Sequence, residues 1–254
     1  MGKNKLYKFN ELNTFTNVFQ CPRHELSEDN AVVQMAGQWN ERYFHNANPI
    51  VLELGCGHGD YTIGLAKKYP EKNFIGIDIK GARLWKGAKE ATMENIPNVA
   101  FMRIEIEMLA YFFAKDEVSE IWLTFPDPQM KKATKRLTSS YFMARYRQVL
   151  KSNGLIHLKT DSNFLYTYTQ AVITENHFEC PISTVNLYNE PDTPLWENAR
   201  MLQTHYEKQW LQRGISIKYV CWKLNEGPYK EPDIEIEKDT YRSYGRNYVS
   251  TTNN

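Results

Sequence analysis

Val51-Leu52-Glu53-Leu54-Gly55-Cys56-Gly57-His58-Gly59-Asp60 decides how the rest of the chain reads. An apolar run ends in a carboxylate and breaks into a glycine at every second position. A second apolar run, Asn73-Phe74-Ile75-Gly76-Ile77-Asp78, ends in another acid. A buried strand, a glycine turn, a helix and a second strand tipped with an acid make half of a nucleotide-binding βαβ unit. The pattern predicts a site for an adenosine-containing cofactor.

Working outward, strands are expected at 50–54, 73–77, 99–104, 119–124, 154–160, about 180–188 and 215–224. Helices are expected at about 30–44, then at 60–69, 81–94, 106–114, 138–150, 162–176 and 196–212. Asp60, Thr138 and Ser162 read as N-caps, and Pro70 and Pro97 end or follow helices. This alternation predicts an α/β fold, Rossmann-like, with a seven-stranded, mostly parallel sheet and helices on both faces. Residues 1–30, polar with scattered aromatics and basic at Lys3, Lys5 and Lys8, read as an N-terminal arm that is flexible or packed on the surface. The domain proper spans 31–225, and 226–254 is a polar tail expected to be loosely attached.

At 254 residues the chain fits one large α/β domain. Its 31 basic and 30 acidic residues nearly cancel, so any affinity for nucleic acid has to come from uneven placement of charge. Cys21, Cys56, Cys180 and Cys221 show neither C-x-x-C nor metal spacing, so no metal is expected. With no signal-peptide pattern, they read as belonging to a reduced, cytoplasmic protein. No apolar run approaches the roughly 20 residues of a membrane span, so no membrane partner is expected.

The glycine spacing bears on which cofactor fits. A dinucleotide fingerprint reads G-x-G-x-x-G and sets a pyrophosphate on the helix N-terminus. Here the spacing is G-x-G-x-G, and Asp60 stands where the helix opens and would repel a pyrophosphate. Glu53 adds negative charge just before the turn. S-adenosylmethionine has no phosphate and carries a sulfonium and an ammonium, which suit Glu53 and Asp60. Asp78 suits the paired ribose hydroxyls. Glu105, after the third strand, stands where an acid could reach the adenine amino group, and Glu107 competes for that role. NAD, or a glycine turn with no ligand, are the competing readings.

A second motif follows the fourth strand: Phe125-Pro126-Asp127-Pro128-Gln129-Met130, then Lys131-Lys132-Ala133-Thr134-Lys135-Arg136. Ligands in open α/β sheets sit beyond the carboxyl ends of the strands, so Asp127 is aimed at the crevice in a loop stiffened by two prolines. Four of the residues 131–136 are basic, which reads either as a solvated face or as phosphate contact. Asp161, in Leu158-Lys159-Thr160-Asp161, is another acid at a strand end, and it serves equally well as a helix cap. Thr204-His205-Tyr206-Glu207 lies on the last long helix, where Glu207 alone would read as a surface residue.

Together these pieces resemble the bacterial tRNA (guanine-N7-)-methyltransferases, the TrmB-type family, over about residues 48–224. The glycine motif is shared by all class I methyltransferases. The F-P-D-P motif with its basic run and the downstream T-D and T-x-Y-E is far more specific. The resemblance implies the class I methyltransferase fold with an antiparallel last strand, and S-adenosylmethionine as methyl donor. It implies cofactor contacts at Glu53, Gly55, Gly57, Asp78, Glu105 and Asp127. Lys131, Asp161, Thr204, His205, Tyr206 and Glu207 are then expected to contact tRNA or the target base.

The expected reaction is methyl transfer to N7 of a guanine in tRNA, guanine 46 of the variable loop by resemblance, forming 7-methylguanosine. Asp127 is the expected central catalytic residue, with Asp161 and Glu207 reading the guanine edge. The resemblance also implies a monomer or homodimer. The family usually has Glu where Asp78 stands, and D-P-W-x-K-x-R-H where this chain has Gln129 and a shorter loop. The alternatives are methylation of another RNA or of protein, and a tRNA-binding module without turnover.

Overall fold

The computed structural model describes residues 3–192 and 194–240. Among these residues eight strands form one sheet in the order β1 (Val18–Gln20), β4 (Val99–Arg103), β3 (Asn73–Ile77), β2 (Ile50–Leu54), β5 (Val118–Thr124), β6 (Leu150–Thr160), β8 (Lys218–Lys223) and β7 (Glu179–Thr184). The central ones are β2 (Ile50–Leu54), β3 (Asn73–Ile77), β4 (Val99–Arg103), β5 (Val118–Thr124) and β6 (Leu150–Thr160), all paired in parallel. β8 (Lys218–Lys223) is antiparallel to both β6 and β7 (Glu179–Thr184). β2 and β3 are buried throughout. The sheet therefore has the mostly parallel order and antiparallel last strand expected, with eight strands rather than seven. The added strand, β1 (Val18–Gln20), pairs in parallel with β4 at the edge.

Alternation along the strands divides the core into two layers. Leu52, Leu54, Ile75, Ile77, Leu123 and Leu158 point into one layer, with α4 (Ser140–Tyr146) and α5 (Asn163–Glu175). Val51, Phe74, Phe101 and Trp122 point into the other, with α2 (Asp60–Lys68) and α3 (Gly81–Met93). Strand order runs outward from β2 through β3 and β4 on one side and from β5 through β6 on the other. The switch point, where a crevice opens in such sheets, is thus at the carboxyl ends of β2 and β5.

Residues read as an N-terminal arm form α1 (Lys3–Leu12) and β1. Glu11 ties α1 to α3, accepting from the Trp85 indole N–H at 2.6 Å and pairing with Lys89 at 2.9 Å. No continuous helix forms at 30–44. Gly37, at φ +76°, turns the chain left-handed there, leaving a 3₁₀ turn at Val33–Met35 and a π turn at Asn40–Phe44. The Glu117 carboxylate accepts from the Gly37 N–H at 2.8 Å, and the Trp39 indole donates to Phe112 O at 2.8 Å, so tertiary partners replace the helical ones.

The 106–114 segment is a 3₁₀ helix over Ile106–Tyr111. The expected helix at 196–212 is two, α6 (Pro194–Met201) and α7 (His205–Gln212), because Thr204 starts a new one with a reciprocal capping box to Glu207. Ser162 caps α5 as expected. Gly59 rather than Asp60 caps α2, and Ser139 rather than Thr138 caps α4.

The tail is held as far as residue 239. Glu231 accepts from the Ser140 hydroxyl at 2.7 Å and from the Tyr168 hydroxyl. Asp239, buried, accepts from the Ser162 hydroxyl and from Phe164 N at 3.1 Å. The closing Thr/Asn stretch lies outside the described residues. Asp239→Ala removes acceptors from the start of α5 and is expected to cost about 1–2 kcal/mol. That corresponds to roughly 2–8 °C in Tm for a domain of this size, read by thermal unfolding. An unchanged Tm would detach the tail from the stability of the fold.

Candidate functional site

At the switch point, the turn after β2 holds three glycines at positive φ: Gly55 at +79°, Gly57 at +58° and Gly59 at +76°. They do different work. A Cβ on Gly59 would lie 2.6 Å from the Phe101 ring, so its small size closes the turn onto the sheet. A Cβ on Gly55 or Gly57 would meet nothing within 4 Å. These two leave bare backbone facing open space, the condition for close approach of a ligand.

Two adjoining cavities share Gly55, Arg83 and Phe125. The larger, about 340 Å³, is lined by Asp78, Ile104, Glu105, Glu107, Asp127 and Gln129 among others. The smaller, about 100 Å³, is lined by Glu53, Gly57, Asp60, Thr124, Thr204 and Tyr206 among others. The sequence thus brings Glu53, Gly55, Gly57, Asp78, Glu105, Asp127, Thr204 and Tyr206 to one cleft.

Each acid is held differently. Asp78 accepts from Gly57 N at 3.0 Å and Lys80 N at 2.7 Å, which fixes the carboxylate and leaves lone pairs for further donors. Glu53 is buried: one oxygen accepts from Thr62 N at 2.8 Å and the Thr62 hydroxyl, the other from the Thr124 hydroxyl. Glu105 is paired with Arg23 at 2.5 Å, which holds its carboxyl below the usual range. Glu107 pairs with Lys135 at 3.0 Å. Asp60 pairs with Lys86 at 3.0 Å, so Lys86 answers the charge that the sequence offered to a cofactor cation.

Asp127 is exposed on a loop bracketed by Phe125 at φ +49° and Gln129 at φ +46°. Non-glycine residues reach this region only at a cost of order 1–3 kcal/mol. At the root of the loop Phe125 N donates to Lys159 O at 2.8 Å, and within it Gln129 N donates to the Asp127 carboxylate at 2.9 Å.

Two expected base-reading acids do not line the cleft. Asp161 is fully buried beyond β6. Glu207, read as a surface residue on helical grounds, is also fully buried. It pairs with Lys159 at 2.7 Å, accepts from the Tyr188 hydroxyl at 2.6 Å, and exchanges cap bonds with Thr204. Lys159 also donates to Leu202 O at 2.9 Å and to Ala199 O, and burial lowers the pKa of its ammonium. Glu207 thus fixes the start of α7, and with it Thr204 and Tyr206. The His205 side chain lies outside the described residues.

Of the basic run, Lys131 and Lys132 are exposed and make no ion pair among the described residues. Arg136 is taken up by the fold, stacked on Phe164 and Tyr168 at 4.8 and 4.3 Å.

Sequence reasoning missed Thr62, Thr124, Arg83 and Lys159. The hydroxyls carry no pattern of their own. Lys159 stood in plain view before Thr160-Asp161, but nothing local says that its partner lies 48 residues on.

The cleft suits S-adenosylmethionine. Bare glycine backbone admits the ligand, a hydrogen-bonded acid at the end of β3 faces the larger cavity, and a buried acid faces the smaller one. That donor set favours a cation and disfavours a pyrophosphate.

A family model described as "Putative methyltransferase" matches residues 47–220. The chain is 56% identical over 247 residues to a tRNA (guanine-N(7)-)-methyltransferase of Bacteroides fragilis, covering 97% of this chain and 96% of the relative. It is 33% identical to one from Clostridium acetobutylicum, covering 74% and 87%. Among solved structures, the 16S rRNA methyltransferase KamB aligns with TM-score 0.56 at 14% identity, covering 73% of this chain and 92% of that one. This last likeness is one of fold.

Burial pushes the Glu53 carboxyl up to about 7, with the threonine hydrogen bonds opposing it only in part. Between pH 4.5 and about 7 the folded protein therefore holds a proton that the unfolded chain has released. Stability is greatest below that window and falls as pH rises through it, by up to about 1.4 kcal/mol per pH unit. Glu53→Gln is expected to abolish the fall. Urea unfolding of both proteins from pH 5 to 8 checks this, and parallel pH curves would assign the dependence to another group.

Proposed function

Because the chain belongs to the bacterial tRNA (guanine-N(7)-)-methyltransferase family, the TrmB type, we propose that its cleft binds S-adenosylmethionine and that it methylates N7 of a guanine in tRNA, forming 7-methylguanosine. The observation that carries this reading is the division of charge at the rim. Glu53, Asp78 and Asp127 line the cleft, while Lys131 and Lys132 stand exposed on the adjoining loop.

When bound, S-adenosylmethionine supplies an electrophilic methyl group on a cationic sulfur. Glu53 favours the cationic end of the ligand, and Asp78 accepts the ribose hydroxyls with the lone pairs its backbone donors leave free. Glu105 serves the adenine end by exchanging Arg23 for the exocyclic amine. Lys131 and Lys132 neutralise backbone phosphate.

Guanine N7 carries a lone pair and no proton, so no residue has to act as a strong base. The chain's task is to place N7 in line with the methyl group. Good orientation can supply up to about 7–11 kcal/mol of the barrier. Asp127, on its stiff loop, stabilises the positive charge that grows on the guanine imidazole. Thr204 and Tyr206 form the wall against which the extruded base rests. Glu207 acts through that wall by holding Thr204, rather than by reading the guanine edge. A base in a loop, such as guanine 46 of the variable loop, leaves its stack at least cost.

The decisive experiment is incubation with labelled methyl donor and unmodified tRNA, followed by nucleoside analysis. The expected product is 7-methylguanosine, and label in another nucleoside or in protein would overturn the reading. Asp127→Ala is expected to lose about a hundredfold or more in turnover with Tm unchanged; full turnover would remove Asp127 from the mechanism. Lys131→Ala should weaken tRNA binding and reduce the slope of log affinity against log salt by about one. A slope equal to that of the wild type would place Lys131 away from phosphate.

A further inference from the structure

Beyond Glu107 lies a second open cavity of about 470 Å³ that the mechanism does not use. It is lined by Arg23, Glu107, Tyr111, Tyr141, Arg145 and Gln148 among others. Glu107 also lines the larger cleft cavity, and Arg23 reaches back to Glu105 there, so the surface is continuous with the cofactor site.

Two large aromatic side chains face solvent on it. Tyr111, ending the 3₁₀ turn, is 54% exposed, and Tyr141, in the first turn of α4, is 37% exposed. One exposed tyrosine needs no explanation. These two are accompanied by a fixed guanidinium. Arg145 lies 3.4 Å from the centroid of the Tyr141 ring and donates to Tyr141 O at 2.9 Å. The edge of Phe142 braces the same ring, with centroids 5.3 Å apart. The buried Nε of Arg145 has no hydrogen-bond partner among the described residues. The acids here are already answered, Glu107 by Lys135 and Glu105 by Arg23. The patch is therefore not repulsive to a polyanion.

A braced aromatic ring and a second exposed one beside guanidinium groups are the chemistry that grips unpaired bases and their phosphates. A target base can reach the cleft only from a distorted loop, whose neighbouring bases lose their own stacking. We propose that Tyr111 and Tyr141, with Arg145 and Arg23, form a nucleobase-stacking subsite that holds an unpaired nucleotide flanking the target in the same tRNA loop. The proposal rests on tRNA being the substrate. It supplies a grip outside the short 129–136 loop, where Arg136 and Lys135 are engaged within the protein.

The test compares Tyr111→Ala, Tyr141→Ala and the matching Phe variants of the full chain. Measurements are tRNA affinity by filter binding, affinity for S-adenosylhomocysteine (AdoHcy, the cofactor after loss of its methyl group) by calorimetry and solution mass by light scattering. Each Ala variant is expected to lose about five- to 150-fold in tRNA affinity, the range stacking of one base supplies. The salt slope and AdoHcy affinity should stay unchanged, and the Phe variants should keep near-normal tRNA affinity. Wild-type tRNA affinity in both Ala variants overturns the subsite. So does a loss shared equally by the Phe variants, or a change of mass that reveals an interface between copies of this chain. Wild-type turnover on tRNA is measured in parallel: absence of 7-methylguanosine overturns the methyl-transfer reading, while normal product with unaffected Ala variants overturns the stacking subsite alone.

Discussion

A carboxylate buried at the carboxyl end of β2 holds the cleft together. Glu53 takes hydrogen bonds from the first turn of α2, through Thr62, and from the last residue of β5, Thr124. It thus fastens three elements at the point where the strand order reverses. Burying an ionised acid costs several kcal/mol unless donors surround it. Here a backbone N–H and two hydroxyls supply them, and burial still pushes the carboxyl up to about 7. Among the described residues Glu53 makes no ion pair, so a positively charged ligand would favour its ionised form.

The opposite wall rests on a second buried charge treated the other way. Lys159 and Glu207 pair with each other at 2.7 Å with no solvent contact. Breaking such a pair by deleting one member typically costs about 3–5 kcal/mol, because the survivor stays buried and alone. The Lys159 carbonyl accepts from Phe125 at the root of the Asp127 loop, and its ammonium holds the end of α6 and the start of α7. One residue of β6 therefore carries both the Asp127 loop and the Thr204–Tyr206 wall. The strained φ of Phe125 persists because its neighbours are fixed on both sides.

Much of this was legible because the central strands are local signals. Residues 50–54 and 73–77 read as strands from short apolar runs bounded by glycine and acid, and β2 and β3 have those limits. The glycine turn and F-P-D-P loop could be placed at the cleft because carboxyl ends of parallel strands define it. Partners distant in sequence were not legible. Asp60 and Glu105 looked free, but Lys86 and Arg23 answer them. Val18–Gln20 is too short to announce a strand and is one only because β4 offers an open edge. Glu207 looked exposed because helical periodicity says nothing of a buried lysine on a strand, although the T-x-x-E spacing did contain the capping box that splits the last helix.

The fate of the basic run shows why charge counted along a sequence is not charge available to a ligand. Of its four cations, Arg136 stacks on two aromatic rings and donates to Gln129 and Met130 carbonyls, so it stiffens the loop and is neither a solvated face nor free for phosphate. Lys135 neutralises Glu107 at the cleft mouth. Only Lys131 and Lys132 present charge outward from this segment. Phosphate contacts position a nucleic acid but do not fix the orientation of one base. Two lysines on a loop cannot hold a guanine in line with a methyl group. On the proposed reading, orientation comes from rigid, shape-bearing surfaces beside the cleft: the Thr204–Tyr206 wall locked by the buried ion pair, and the Asp127 loop locked by its prolines and its bond to β6.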